Sequence, residues 1–423
     1  QDGVADAHTV FAIIDNPRGL ISRGNKLYVL HTAFNSENRS TGMNLVVLED
    51  ADRDGVADGP AKLLVENICS ESSINGRGTD HSTNGIQLGI DGWIYIAIGD
   101  FGFYKATGRD GTQLTLLGGG IVRVRPDGTE LEQYTTGTRN IYDIAIDAFL
   151  NIFTRGNTND GGGWNMRFLH HIQSGEYGYP RLFVNFAEEI IPALQDLGGG
   201  SGTGALFLSE PTWPEHYNNQ PLMSDWGRNE IFLHRIRTDG PTFLQEEERF
   251  VTLLQPTDLD VDPSGQMFIS AWDDAGFGGN LSKGYVVRVV PRNWSAQPFV
   301  RFKKLRSKAL VNALRSTSAT TRLYAQDEIL CQKKPAKLKR KIKKIVRDNS
   351  LPLPQRVAAL FTLAQIETDP HSILQFSDDD SLREFALRAA TDRLPRLASV
   401  ELPLAPFVSA LSTGTPREKV AAA

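Results

Sequence analysis

The chain has 423 residues, 40% hydrophobic and 22% charged, with a net charge of −5. That is an ordinary globular composition with room for two or three domains. No run approaches 18 uninterrupted apolar residues, which excludes a transmembrane helix. The two cysteines, Cys69 and Cys331, form no C-x-x-C, which excludes a zinc ribbon or an attached haem here; both are read as unpaired thiols.

In chain order, residues 1–295 repeat one idea. An apolar alternating segment runs into a Gly or Asp-Gly turn, and a second strand follows. Gly19–Tyr28, Gly85–Tyr95, Asp143–Phe153 and Asp258–Phe268 are copies, with a degenerate one at Pro221–Trp226. Period-2 alternation broken by such a turn predicts a β-hairpin. A third strand follows most hairpins, as at Asn44–Leu48, Gly120–Gly128, Glu230–Ile236 and Gly284–Val289. Units of this kind predict a β-propeller. Five are visible. Gln1–Asp6 repeats the end of Asp50–Asp58, so a sixth blade is expected to straddle the N-terminal edge, and the chain reads as a piece of something longer. No signal peptide is present, which leaves a cytosolic protein or a trimmed secreted one.

From residue 300 the period changes from 2 to 3.6. Ala309–Leu314 and Arg356–Ala364 predict amphipathic helices. Arg322, Arg356, Arg383 and Arg417 recur 34, 27 and 34 residues apart, which reads as HEAT-like stacked helix pairs over 300–423. Pro291–Pro298 reads as the linker. The charge changes with the fold: residues 1–300 carry 22 basic and 38 acidic side chains (−16), and residues 301–423 carry 23 and 12 (+11). The basic run Lys333–Arg347 lacks aromatic residues for base stacking, and Leu338, Ile342, Ile345 and Val346 fit a packed helix. It is read as a solvated helix face and not as a nucleic-acid site.

Two motifs suggest chemistry. Asp50-x-Asp52-x-Asp54-Gly55-x-x-Asp58 sets carboxylates at positions 1, 3 and 5 around one centre, with Gly55 for the sharp turn. Position 12 is Ala61, so this is no EF-hand; the loop resembles the short calcium loops of thrombospondin-type repeats and predicts structural calcium. Elsewhere, His81 stands eight residues before Gly89. Ile98-Gly-Asp100 ends the same hairpin, and Arg139-Asn140, Gly156-Asn157 and Glu176–Pro180 follow. This order resembles the soluble quinoprotein glucose and sorbosone dehydrogenases, β-propellers that use pyrroloquinoline quinone (PQQ) and calcium.

The resemblance implies His81 as general base, since imidazole titrates near neutral pH. It implies Arg139 as partner of the oxygen that becomes negative, and Asp100 and Asn140 beside the cofactor. Gly156 and Asn157 would offer backbone carbonyls to a catalytic calcium. Two departures bear on PQQ. Where the family has a quinone-binding Lys stands Asp225-Trp226, and where it has Arg-x-Arg-Asp stands Gln255-Pro-Thr-Asp258. Three lost cations weaken the hold on a tricarboxylate.

The propeller-plus-helices order is similar to the large membrane-bound-dehydrogenase-like proteins of planctomycete-type bacteria. That implies a periplasmic or secreted protein, a carbohydrate or polyol substrate, and a cytochrome c acceptor, which a missing downstream domain could supply. The alternatives are a non-redox propeller binding carbohydrate or a protein partner, and a metal-assisted lyase or hydrolase using His81, Asp225 and Asp273.

Overall fold

The computed structural model describes residues 7–37, 39–158, 163–182, 186–275, 280, 282–295, 300–392 and 401–423. It contains five antiparallel sheets followed by helices. Blade 1 holds β1 (Pro17–Arg23), β2 (Lys26–Phe34), β3 (Ser40–Glu49) and β4 (Lys62–Glu66). A short α1 (Glu71–Arg77) leads to blade 2, made of β5 (Thr83–Leu88), β6 (Ile94–Ile98), β9 (Gly119–Val124) and β10 (Glu132–Thr138). The insertion between β6 and β9 carries β7 (Ala106–Gly108) and β8 (Gln113–Leu114), which pair back onto β4. Blade 3 is β11 (Ala145–Ile146), β12 (Ile152–Arg155), β13 (Met166–His171) and β14 (Gln195–Gly198). Blade 4 is β15 (Gly202–Leu208), β16 (Gln220–Asp225), β17 (Glu230–Asp239) and β18 (Thr242–Thr252). Blade 5 is β19 (Pro256–Val261), β20 (Met267–Trp272) and β21 (Gly284–Val289).

The expected hairpins are β1–β2, β5–β6, β11–β12 and β19–β20, each paired in antiparallel register. Among the described residues the blades number five and not the expected six. Gln1–Asp6, on which the sixth blade rested, lies outside the described residues. The apolar segment after it forms no strand. Phe11, Ala12 and Ile14 instead cover Val29, Val46 and Leu48 of blade 1, and the Phe11 carbonyl accepts from the Ala57 amide at 2.9 Å.

The helices come in four successive pairs. They are α2 (Ser307–Ala313) with α3 (Ala319–Leu330), α4 (Lys339–Val346) with α5 (Leu353–Ile366), α6 (His371–Leu374) with α7 (Arg383–Thr391), and α8 (Ala405–Thr413) with α9 (Pro416–Ala422). The second helices stack in the order α3, α5, α7, α9. The recurring arginines sit near their starts. Arg322 donates to the Ser316 carbonyl at 2.8 Å, Arg356 to Val346 at 2.9 Å and Arg383 to Ser377 at 3.1 Å. Each guanidinium satisfies a carbonyl orphaned as the preceding helical segment ends. In α4, Leu338 just before the helix and Ile342, Ile345 and Val346 within it are buried, and the lysines face outward, as expected.

The helical layer closes one end of the propeller. Gln326 and Gln365 both donate to the Ile90 carbonyl, at 2.8 and 2.9 Å. Trp93 Nε1 donates to Asp392 at 2.6 Å, and Arg125 pairs with the same carboxylate at 2.9 Å. Leu150 belongs to the helices' own apolar core. Trp294 in the linker donates to the Ser264 carbonyl at 2.9 Å. Cys69 and Cys331 are free thiols, and no described helix is long and apolar enough to cross a membrane.

Candidate functional site

The C-terminal halves of β1, β5, β15 and β19, with the end of β11, converge on a cavity beneath which α3 and α5 lie. Those ends form the floor of the central channel. The strand starts, and the turns leaving β6, β12, β16 and β20, therefore gather at the opposite end. Asp100 stands on the turn leaving β6 and Gly156 and Asn157 on the turn leaving β12, while His81 precedes β5 and Arg139 and Asn140 precede β11, so the topology brings the resemblance-derived residues to one mouth.

His81 Nδ1 lies 2.8 Å from Asp100 Oδ1, and the two side chains are 13% and 7% exposed. Its Nε2 lies 3.7 Å from Asp80 Oδ2, and the ring meets Phe101 edge-on at 5.8 Å. Gly99 is required here by close approach: a Cβ at that position would collide with the His81 carbonyl and with Asn140 Oδ1. The Asp100 turn can thus lie flat beneath the histidine. Tyr179 continues the network, with its hydroxyl 3.5 Å from Asp100 Oδ2 and a side-chain hydrogen bond to Arg139. Burial raises the Tyr179 pKa, followed by the nearby Asp100 charge. Trp164 meets Tyr179 edge-on at 5.2 Å. Arg139 is 4% and Asn140 1% exposed. Asn140 bonds to Tyr142, whose pKa burial pushes up to about 12. Tyr142 also bonds to Arg18, which donates to Asn84 at 2.8 Å and to Thr79 at 2.7 Å.

Sequence reasoning quoted Tyr179 within a motif but gave it no role, and passed over Arg18 and Tyr142. The signal for Tyr179 was its place in Glu176–Pro180; for the other two there was none.

The remaining residues divide. The Gly156 carbonyl already accepts from the Gly202 amide at 3.1 Å, and Asn157 bridges to Ser201 across a short antiparallel contact. One engaged carbonyl and a neutral neighbour fall short of the six to eight oxygens calcium takes. Among the described residues, the only acid, His or Cys group with metal spacing is Asp50, Asp52 and Asp58, whose ligand atoms lie within 4.8 Å of one another. Asp54 is outside that group and accepts from the Val56 amide at 2.8 Å.

PQQ does not fit the far rim. Asp225, where the family places its lysine, is fully buried and pairs with Arg155 at 3.0 Å and Arg228 at 3.6 Å. Arg155 is shared with Glu247 at 2.5 Å, and Arg228 donates to the Gly199 carbonyl at 2.9 Å. Each of these cations is spent within the fold. Gln255 and Thr257 bring none, and Asp258 adds a carboxyl. Burial raises Asp143 well above the usual carboxylate range, with Asp258 the next cause, and burial pushes Asp258 up to about 6. A rim whose cations are already paired offers a tricarboxylate no free counter-charge. The aromatic pair Trp226 and Trp272, 5.9 Å apart and nearly perpendicular, stands there instead.

Comparison with known proteins follows this geometry. The profile of a domain of unknown function, DUF7133, matches residues 1–274. No curated protein matches. Several solved structures are similar, three of which follow. An oxidoreductase (glucose dehydrogenase) of Thermus thermophilus is 15% identical over 66% of this chain and 87% of its own, with a TM-score of 0.49. A PQQ-bound aldose sugar dehydrogenase of Streptomyces coelicolor is 14% identical over 66% and 81%, with a TM-score of 0.47. A further glucose dehydrogenase is 12% identical over 66% and 84%, with a TM-score of 0.48.

Proposed function

The chain belongs to the DUF7133 family, whose description assigns no activity, and from its own mouth residues we propose an oxidoreductase site acting on a hydroxyl of a sugar or polyol. The observation that carries this reading is the His81–Asp100 contact at 2.8 Å. A carboxylate on Nδ1 fixes the imidazole tautomer and leaves Nε2 to take a proton from substrate. Arg139, tied to the same network through Tyr179, steadies the oxygen left behind. These residues account for binding and proton removal. The hydride goes to a bound two-electron carrier, which passes its electrons singly to the final acceptor; among the described residues no cation clamp for a quinone is built. A cytochrome c as final acceptor, a periplasmic or secreted location and HEAT-like stacking of the helices go with this reading.

The test is dye-linked oxidation of a panel of aldoses and polyols. His81→Ala is expected to lower kcat at least about 100-fold, the usual share of a positioned base. Asp100→Asn should lower it less and shift its pH profile. Dye reduction by His81→Ala at the parent rate would remove His81 from the mechanism. Binding of a sugar with no dye reduction by any acceptor would favour a carbohydrate-binding propeller, a reading the acidic rim and the Trp226–Trp272 pair also support. A PQQ titration read by absorbance should show no saturable binding.

The acidic loop is proposed as a structural calcium site. Asp50, Asp52 and Asp58 converge within ligand spacing, and Arg53 beside them reaches Glu328 of α3 at 3.7 Å. Calcium there would brace blade 1 against the helical layer.

A further inference from the structure

The floor of the channel holds a cavity of about 230 Å3 between the inner strands and α3. It exceeds the roughly 150 Å3 of an engineered cavity that accepts benzene. Its wall is polar where β1 and α3 meet: Ser22, Arg23, Arg322 and Tyr324 line it, with Asp260 from β19. Arg23 is 8% exposed. Its Nη2 meets Asp327 at 3.2 Å, but Nε and Nη1 are buried without a hydrogen-bond partner. A buried guanidinium that leaves two donors unanswered is costly. Arg322, 4% exposed, spends Nη1 on the Ser316 and Thr317 carbonyls.

We propose that this cavity binds a small oxyanion, a carboxylate or a phosphate, between Arg23 and Arg322. Burial pulls the Arg322 pKa down to about 10, with Glu210 opposing it, so its charge is under-compensated where it stands. Glu210 does not line the cavity, and its carboxylate accepts from the Thr320 amide at 2.9 Å. The acids facing the cavity do not serve either. Asp260 lines the cavity but is exposed there, so solvent screens its charge. Asp147 is engaged by Asn151 at 2.6 Å and by the Phe149 amide at 2.8 Å. Tyr324, raised by burial, keeps its proton and remains a donor. The oxyanion would be enclosed by donors from both the propeller and α3, so its occupancy fastens the helical layer to the channel floor. The site lies at the opposite end from His81 and does not depend on the oxidoreductase reading.

The experiment is thermal unfolding of the full chain at pH 7, titrated with sodium phosphate and with sodium acetate against sodium chloride at matched ionic strength. Phosphate or acetate should raise Tm by roughly 3–5 °C at a hundredfold excess over Kd; the stronger of the two identifies the head group. Ser22→Leu fills the cavity from β1 and leaves the Arg23–Asp327 pair intact. It should abolish the rise, as should Arg23→Gln. No rise with either anion beyond the chloride control overturns the proposal. A rise that survives Ser22→Leu overturns it as well, by placing the anion elsewhere.

Discussion

Three histidines are sealed into blades 3 and 4, and they should make the propeller acid-labile. His170 and His171 lie on β13 and His234 on β17, and burial pulls each pKa down to about 3. The His234 contacts explain why it stays neutral. Arg155 Nη1 donates to its Nε2 at 3.2 Å, so Nδ1 carries the proton and donates to Gln245 at 2.8 Å. A proton added at Nε2 would face the guanidinium. Each folded pKa lies below the ordinary histidine value, so the folded state binds fewer protons. The stability each neutral ring contributes is full above about 6.5 and is lost as pH falls toward 3. Between pH 7 and 5 that loss is about 2 kcal/mol per histidine, or about 6 kcal/mol for three. Asp258 works the other way. A carboxyl raised to about 6 regains stability as pH falls through that value. It faces the channel, where solvent can reach it, so screening limits the return to about 1 kcal/mol. The histidines win. Urea unfolding followed by tryptophan fluorescence should give a lower unfolding free energy at pH 5 than at pH 7. His234→Gln, neutral throughout, should remove about a third of that difference. An unfolding free energy that does not move between pH 7 and 5, or a His234→Gln protein that tracks the parent, would refute the reasoning.

Other outcomes can be checked alongside. Calcium should raise Tm, Asp52→Ala should abolish the rise, and an identical melting curve with and without chelator would sink the metal loop. Asp143→Asn mimics the protonated carboxyl and keeps an oxygen for the Ala205 amide, now 3.0 Å from Asp143 Oδ2. It should raise stability more at pH 8 than at pH 5, because burial and Asp258 hold the Asp143 pKa up, as read by the same urea series. Asp392→Ala takes one of two carboxylates from Arg125, which keeps Glu130 at 2.8 Å, and leaves the Trp93 indole at the propeller–helix junction without its acceptor. Loss of that buried acceptor should cost about 1–3 kcal/mol; a Tm unchanged by Asp392→Ala would mean that this junction adds little to stability.

The hairpins were legible because a half-buried strand alternates and an Asp-Gly turn ends it. Gly92, at φ +81°, is one such turn. Where a strand is covered on both faces the alternation vanishes. β13 reads Met-Arg-Phe-Leu-His-His, all buried but Arg167, and nothing in the sequence marked it as blade 3's third strand. The inner strand of blade 4 was hidden for another reason: Gly202 and Gly204 stand where β-formers are expected, because a Cβ at either would strike Arg155 or Asp258. The order His81, Asp100, Arg139 could be read from the chain. Its completion by Tyr179 could not, since the link to Asp100 spans 79 residues and exists only once blades 2 and 3 lie side by side. The blade count failed for a related reason: a duplicated peptide says nothing of whether its apolar neighbour pairs in a sheet or, like Phe11, covers one.

The far rim shows how one exchange commits its surroundings. With an acid at 225, Arg155 and Arg228 turn inward to neutralise it, and Arg155 also answers Glu247 and His234. Restoring a lysine by Asp225→Lys would therefore not rebuild a cofactor clamp. It would set a third cation against the buried Arg155 and the half-buried Arg228 and leave the amides of Ser201 and Arg228, which now donate to Asp225 at 3.0 and 3.1 Å, without their acceptor. An uncompensated buried charge costs about 3–5 kcal/mol, a large part of the stability of an ordinary domain. Asp225→Lys should accordingly fail to gain PQQ binding and should unfold at lower urea than the parent. A folded Asp225→Lys protein that binds PQQ would show that the rim is still organised around the cofactor, and that the mouth had lost a single contact and not its clamp.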